Sequence, residues 1–425
     1  MRWTTWALLC FLVGGCKTQT EGNLSDFEVG NEGFVRVNPV DPTQLILNGR
    51  EFRFANANSY SMLDSKAAAD KQLAQVKAMG FNALRMWGFN NGEKYSPNPL
   101  QTAPGVFPEA SWQLLDYVIA QAGRAQIKLI LPLANYWAEY GGIDLMAEWA
   151  GHPKETRFNY DREVFYADPA SRKIYAATVL HMLNRVNTIT GIAYKNDPTI
   201  MMWEPINEAR CRSDPTGKLV ADWLSWASKL IKDNAPLQLV GSGTEGFFSN
   251  YPGFDTYPWQ AGRVNELREI DGTVSSSEAE GSYFELDCKI PTIDLCSIHA
   301  WPFQWFIEPR DRPDLFMAQW IDEHIKFMKS SPAYRKPLYL AEFNLQIIRA
   351  EGAPAFARRD AVLEYGFFDQ AKGRRVLRKG IAGVGVWNIT AAPEAKDAAL
   401  SFDIFCPEDR SSCAIIQEFN RLHTR

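Results

Sequence analysis

The sequence predicts an α/β chain folded as one (β/α)8 TIM barrel with enlarged loops at the C-terminal ends of its strands. Three observations predict it. From about residue 34 onward, short apolar runs alternate with stretches of helical periodicity. The runs number eight, the count that closes a barrel. The surplus length of the 425-residue chain is concentrated behind particular runs, at 88–110, 135–168, 243–292 and 342–354. An open doubly wound sheet is the alternative, but eight alternating units in one chain suit closure better.

The strands expected are Phe52–Ala57, Asn82–Met86, Lys128–Leu133, Ile200–Trp203, Gln238–Val240, Leu295–Ile298, Leu338–Leu340 and Gly383–Trp387. Each is a short continuous apolar run, as in a parallel strand buried on both faces. Between them, apolar residues recur every three or four positions over Ala67–Met79, Trp112–Ala125, Ser171–Thr188, Lys218–Asn234, Pro313–Lys329 and Ala355–Lys372, which predicts helices. Nothing suggests an internal repeat or a linker between domains. Long loops behind the strands of a barrel line its active-site face, and so many enlarged loops predict a deep cleft suited to a polymer.

The N-terminus is expected to be an export signal. Arg2 is followed by an apolar stretch from Trp3 to Val13, too short to span a bilayer, and then by Val13-Gly14-Gly15-Cys16. Small residues before a Cys resemble a bacterial lipoprotein signal in which Cys16 is lipidated; an ordinary secretory signal is the alternative. The division expected is therefore a signal at 1–16, a polar tether at 17–30 and a catalytic barrel at 31–425. The product would be a cell-surface or periplasmic lipoprotein, touching the membrane only through its N-terminal lipid, or else a secreted protein. An exported chain permits disulfides. Beyond Cys10 and Cys16 the cysteines are Cys211, Cys288, Cys296, Cys406 and Cys413. Short loops suggest Cys288–Cys296 and Cys406–Cys413, with Cys211 left free.

Charge and composition exclude several functions. A net charge of −5 with no long basic run argues against binding nucleic acid through its phosphates. The five His include no HExxH pair, and no CxxC occurs, so no metal or other cofactor is expected. A serine esterase elbow is missing too. Gly241-Ser242-Gly243-Thr244-Glu245-Gly246 fits the dinucleotide-binding pattern, but loop-like Phe247-Phe248-Ser249-Asn250 follows where a helix should start. The chain carries 14 Trp, 15 Tyr and 25 Phe. Such rings serve a large core, and they also stack on the apolar faces of sugars.

Two carboxylates leave strand ends. In Thr199-Ile200-Met201-Met202-Trp203-Glu204-Pro205-Ile206-Asn207-Glu208, a buried run passes into polar residues and a Pro. In Pro337-Leu338-Tyr339-Leu340-Ala341-Glu342-Phe343-Asn344, an apolar run ends in one carboxylate. Alone, either Glu reads equally well as a cap partner or a surface charge. Together they match glycoside cleavage, in which one carboxyl is a general acid and the other a nucleophile or base. A retaining pair stands about 5–5.5 Å apart. Arg85, in Leu84-Arg85-Met86-Trp87, puts a cation inside an apolar strand and needs a carboxylate partner. His299 ends a strand in Ser297-Ile298-His299-Ala300-Trp301, and Trp387 ends the last one, as a sugar platform or as core.

These residues resemble glycoside hydrolase family 5, and within it the endo-β-1,4-mannanases. The resemblance covers about residues 30–420. Its most specific part runs from Arg185-Val186-Asn187-Thr188-Ile189-Thr190-Gly191 through Tyr194-Lys195-Asn196-Asp197-Pro198 and Trp203-Glu204 to Asn207-Glu208. Asn135, Trp137 and Gly141-Gly142 match the third-strand loop, and Glu245-Gly246-Phe247, His299, Trp305, Glu342-Phe343 and Trp387 match further on. The resemblance implies that Glu208 is the acid/base and Glu342 the nucleophile of a retaining enzyme. Asn207 would hold the sugar 2-hydroxyl or the nucleophile, Arg85 and His299 would support the site, and Arg210 would face a leaving-group mannose. Trp87, Asn135, Trp137, Trp301 and Trp387 complete the expected substrate-binding and supporting set.

Three positions depart from the family pattern. Ala209 stands in place of a Pro, Asn344 in place of a Gly, and Trp301 in place of a Tyr that hydrogen-bonds the nucleophile. The Trp301 indole N–H is expected to take over that bond. The partner implied is a β-mannan polysaccharide, and the chain is expected to be a monomer. A β-1,4-glucanase on the same barrel is the sibling reading, and a surface glycan-binding lipoprotein without catalysis is the reading from another class.

Overall fold

A computed structural model describes residues 32–94, 97–153, 161–249, 280–302, 304–305, 313–370, 376–391 and 401–424. The expected signal, tether and Cys16 lie outside these residues. Eight parallel strands form one sheet: β1 (Phe54–Ser59), β2 (Ala83–Met86), β3 (Lys128–Pro132), β4 (Ile200–Glu204), β5 (Leu239–Val240), β6 (Cys296–Ala300), β7 (Leu338–Phe343) and β8 (Gly383–Val386). The neighbours run β5-β4-β3-β2-β1-β8-β7-β6. A parallel bridge from Gly241 to Leu295 then joins the two outer strands, so the sheet curls round as the (β/α)8 barrel expected.

All eight expected strands are present, each within a few residues of its expected limits. The helices Lys66–Ala78, Glu109–Ala125, Pro169–Asn184, Lys218–Asn234, Pro313–Ser330 and Ala353–Phe367 correspond to the six expected. Two stop early. The third ends at Asn184 because Asn187 accepts from the backbone N–H of Ile189 and Thr190, at 2.9 and 3.1 Å, and so makes a turn instead of a further helical turn. The last ends at Phe367, where Phe368–Asp369 pairs as a strand with Val376–Leu377. Elements not anticipated are an N-terminal antiparallel meander (Val35–Val37, Leu45–Leu47, Arg50–Phe52), the helix Ile143–Trp149 inside the third-strand loop, and the final helix Arg410–His423.

The meander has a clear job. Val35 and Leu45 pack against Phe54, Ala83, Ile130, Leu239, Leu295 and Ala382, most of them at or beside the first residues of their strands. The meander therefore plugs the N-terminal mouth of the barrel, which leaves the opposite mouth for the site. A second, larger core lies between strands and helices, with Trp112, Trp203 and Trp223 fully buried in it.

The approach to β4 is braced by one carboxylate. Asp116, fully buried, accepts from Arg185 Nε and Nη2 at 2.9 and 2.7 Å, from Thr188 Oγ1 at 2.7 Å and from Tyr194 Oη at 2.6 Å. Burial works to raise its pKa, but the hydrogen bonds from Arg185, Tyr194 and Thr188 outweigh it and hold the carboxyl below its usual range. Arg185, Thr188 and Tyr194 belong to the sequence run most specific to the family, so much of that run braces the chain that delivers Glu208.

Cys288–Cys296 and Cys406–Cys413 are disulfide-bonded, and Cys211 is free and buried, as expected. The Gly241–Gly246 run starts no helix. Gly243 lies at φ +70° against the Ile206 carbonyl, where a Cβ would come within 2.0 Å of the oxygen, and its own carbonyl accepts from the Glu208 N–H at 2.8 Å. These glycines shape the site's wall and make no phosphate cradle.

Candidate active site

Both strand-end glutamates reach the C-terminal mouth of the barrel, where they line a cavity of about 390 Å3 with Trp87, Asn135, Trp137, Asn207, Arg210, Trp301 and Trp387. All of these were expected there. Pro205 lacks an N–H and ends the β4 ladder. The chain then rejoins the neighbouring loop through a bridge between Asn207 and Asn135. Glu208 follows with φ +52°, a left-handed conformation that a residue with a side chain seldom adopts. Such strain recurs at functional sites, where surrounding contacts enforce it; here the Gly243 carbonyl supplies one.

Glu342 is positioned by a different irregularity. The pairing of β6 and β7 slips between Leu340 and Glu342, which sets Glu342 opposite His299. Carboxylate oxygens of Glu208 and Glu342 and a ring nitrogen of His299 all lie within 4.8 Å of one another. Geometry alone would admit a metal ion to this trio. Fixed cations already answer its charge, since Arg85 pairs with Glu342 and the charge of Arg210 acts on Glu208.

Arg85 is the hub below the pair. Its Nε donates to Glu204 at 2.9 Å and its Nη2 to Asn207 Oδ1 at 2.6 Å, while Nη1 donates to Asn58 Oδ1 at 3.1 Å and to Glu342 Oε1. Burial would pull the guanidinium pKa down, but the charges of Glu204 and Glu342 push it up further. The expected carboxylate partner is thus two carboxylates. Asn207, held by Arg85, donates in turn to Asn135 Oδ1 at 3.0 Å.

Glu208 is surrounded by donors. His299 Nδ1 lies 2.6 Å from Oε1, Trp301 Nε1 donates to the same oxygen at 3.3 Å, and Trp137 Nε1 donates to Oε2 at 2.5 Å. Burial raises the carboxyl's pKa, but the His299 hydrogen bond and charge, the Arg210 charge and the Trp137 N–H reverse this and hold it at about 2. At Glu342 burial raises the pKa and prevails over the opposing charges of His299 and Arg85, with Glu208 adding to the rise. His299 moves up too: burial lowers its pKa, and the two glutamates more than restore it. His299 Nδ1 is thus placed to exchange a proton with Glu208, the group that must donate one.

Trp301 corrects one expectation. Its indole is in the cleft, but its N–H points at Glu208, not at Glu342. The ring stands edge-on to Trp387 and Phe402, with centroids 6.4 and 5.0 Å away, and that packing sets its direction. Arg210 needs qualifying as well. It lines the cleft, but Nε and Nη2 donate to Glu245, both at 2.6 Å, and Nη1 donates to Glu280 at 2.9 Å. Its first task is to bind two loops together, with a face toward the cavity. Burial, opposed by Arg210 and helped by the Glu208 charge, lifts Glu245 to about 7.

Asn344 and Ala209 fit their places. Asn344 donates to the Trp387 and Phe402 carbonyls at 2.5 and 2.7 Å and so ties the β7 exit to the β8 loop. Ala209 is buried beneath the site. Sequence reasoning missed the partners Asn58, Glu204 and Glu280 and the wall residues Gln304 and Phe402. Glu204 carried a readable signal, a carboxylate at the end of an apolar strand with a buried cation to match.

Known proteins are similar to the chain over most of its length. Residues 33–259 match the family model described as GH family 5 beta-mannosidase-like. The chain is 34% identical over 314 residues to mannan endo-1,4-beta-mannosidase 1 of Arabidopsis thaliana, a match covering 71% of this chain and 70% of that one. It is 32% identical to mannan endo-1,4-beta-mannosidase 4 of Solanum lycopersicum, covering 78% and 79%. Among solved structures it is similar to the hyperthermostable endo-1,4-beta-D-mannanase of Thermotoga petrophila, with 30% identity, a TM-score of 0.72, and coverage of 87% of this chain and 100% of that one.

Proposed function

Since the chain belongs to glycoside hydrolase family 5, in its β-mannosidase-like branch, we propose that it is an endo-β-1,4-mannanase working by double displacement. The observation that carries the double displacement is the approach of one oxygen of Glu208 to one of Glu342 within 4.8 Å, and the similarity to mannan endo-1,4-beta-mannosidases supports the substrate. An inverting pair stands about 6.5–9.5 Å apart to admit a water molecule, and a retaining pair about 5–5.5 Å.

In the first step the Glu342 carboxylate attacks the anomeric carbon. The glycosidic bond breaks, and its oxygen takes the proton from Glu208. The sugar is left as an ester of Glu342. In the second step Glu208, now ionised, takes a proton from water as the water oxygen bonds to the anomeric carbon, and Glu342 departs as carboxylate. Arg85 orients Glu342 and offsets its charge, and His299 feeds the proton to Glu208. Asn207 is placed for a sugar hydroxyl beside the nucleophile. Trp87 and Trp387, with centroids 5.6 Å apart, offer aromatic faces on the β2/β8 wall, and Trp137 offers one on the β3 wall.

The test is to incubate the purified protein with mannan, glucomannan and cellulose and size the products. We expect a spread of short oligosaccharides from the two mannose-containing polymers, with viscosity falling before reducing ends accumulate. Release of mannose alone would contradict endo action, and a preference for cellulose would favour the β-glucanase reading. Export belongs to the same proposal, with Cys16 as a lipid-bearing residue; it rests on Val13-Gly14-Gly15-Cys16. Recovery of the wild-type protein from culture fluid, free of membranes, would contradict the anchor.

A further inference from the structure

The mechanism asks Glu208 to give a proton away and later to take one back, and both of its oxygens are already engaged by neighbouring side chains. His299 and Trp301 hold Oε1, and Trp137 holds Oε2. The loop that carries Trp137 is built to put it there. Arg210 lies over its ring with 5.0 Å to the centroid, and Tyr136 stands edge-on to it at 5.1 Å. Gly142 packs so closely on the Trp137 carbonyl that a Cβ would come within 1.8 Å of the oxygen. Next to it, Gly141 lies at φ +72° against the Asn91 backbone. A looser loop would leave the indole as a plain stacking surface; this one fixes its N–H on a carboxylate oxygen.

We propose that Trp137 is a positioning residue that sets the balance between the two tasks of Glu208: the indole N–H donates to Oε2 and favours the ionised carboxylate that activates water over the acid that protonates the glycosidic oxygen. The inference rests on the double-displacement reading above. An indole suits this role because it donates and cannot accept, so it stabilises the carboxylate more than the acid form. The other charged groups facing Glu208 are His299 and Glu342 from β6 and β7, Arg85 from β2, Arg210 from its own loop and Glu245 from the loop after β5. Removing one N–H leaves all of them in place.

The sign follows from the two jobs. The acid must be protonated in the first step, so activity falls as pH rises through the apparent pKa shared by Glu208 and His299. Loss of a donor to the ionised form raises that value. Trp137→Phe keeps a ring and removes the N–H, and is expected to move the basic limb of kcat/KM on soluble mannan upward by about one pH unit. Trp301→Phe, which removes the longer contact, should move it less. On an aryl β-mannobioside with a good leaving group, the first step needs little acid help. Wild type and Trp137→Phe should therefore differ little in the basic limb on that substrate, which assigns the shift seen on mannan to the acid step. Trp137→Leu is a second donor-free variant with the same expected shift, should the Phe variant fold poorly. An unchanged basic limb with a raised KM in a folded variant would overturn the proposal and leave Trp137 as a sugar platform. Failure of the double-displacement reading would look different, since the wild-type protein itself would then form no glycosyl ester with the aryl substrate.

Discussion

Glu342→Ala is expected to lower the hydrolysis of soluble mannan by roughly four orders of magnitude or more, the scale of losing a nucleophile that works as part of a unit. Neither of the two carboxylates beside it can replace it. Glu208 is held by His299, Trp137 and Trp301, and Glu204 is fully buried in its pairing with Arg85. The protein should still fold. Alanine removes one of two negative partners of Arg85, and Glu204 remains to answer the cation. Parallel measurement of activity and thermal unfolding separates the two effects. A variant that keeps more than about a hundredth of wild-type turnover while properly folded would remove Glu342 from the chemistry.

Arg85→Met should damage activity and stability together. The guanidinium is buried between Glu204 and Glu342 and also orders Asn58 and Asn207. Methionine nearly fills the space but strands two buried carboxylates. Removing one partner of a buried ion pair costs about 3–5 kcal/mol, to be read from denaturant unfolding. The pH profile should move too. The nucleophile must be ionised, and Arg85 favours that form against the burial that raises Glu342. Without Arg85 the Glu342 pKa rises further, so the acidic limb of the rate profile moves to higher pH. Normal stability with an unmoved acidic limb would mean that Arg85 neither pairs with nor tunes the nucleophile.

Much of this site was legible in the sequence because a barrel projects its chemistry from strand ends. An apolar run that stops at a single polar residue reports both the strand and the group it delivers. Asn207-Glu208, Glu342 and Trp387 sit at such ends and line the cleft, and Arg85 and His299, toward the ends of β2 and β6, bond Glu342 and Glu208 from below. What stayed hidden depends on contacts between segments distant in sequence. Glu245 and Glu280, 35 and 70 residues beyond Arg210, become its partners only when the loops meet. The direction of the Trp301 N–H is set by rings at 387 and 402, and the run of residues could not foretell it. The N-terminal meander was missed because its strands are three residues each, too short for a periodicity to register. The final helix is a plainer omission: Cys413, Ile416 and Phe419 recur every three residues, and all three are buried.

The anomeric form of the first product tests the central claim most directly. Proton NMR can follow the new reducing end during the first minutes of hydrolysis of a manno-oligosaccharide, before mutarotation mixes the anomers. One oxygen of Glu208 and one of Glu342 lie within 4.8 Å, closer than the pairs that admit an attacking water. The reaction must then pass through the Glu342 ester and invert the anomeric carbon twice. The β-anomer should appear first and the α-anomer only later, by mutarotation. If the α-anomer appears first, the reaction is a single displacement by water, and the assignment of Glu342 as nucleophile is wrong.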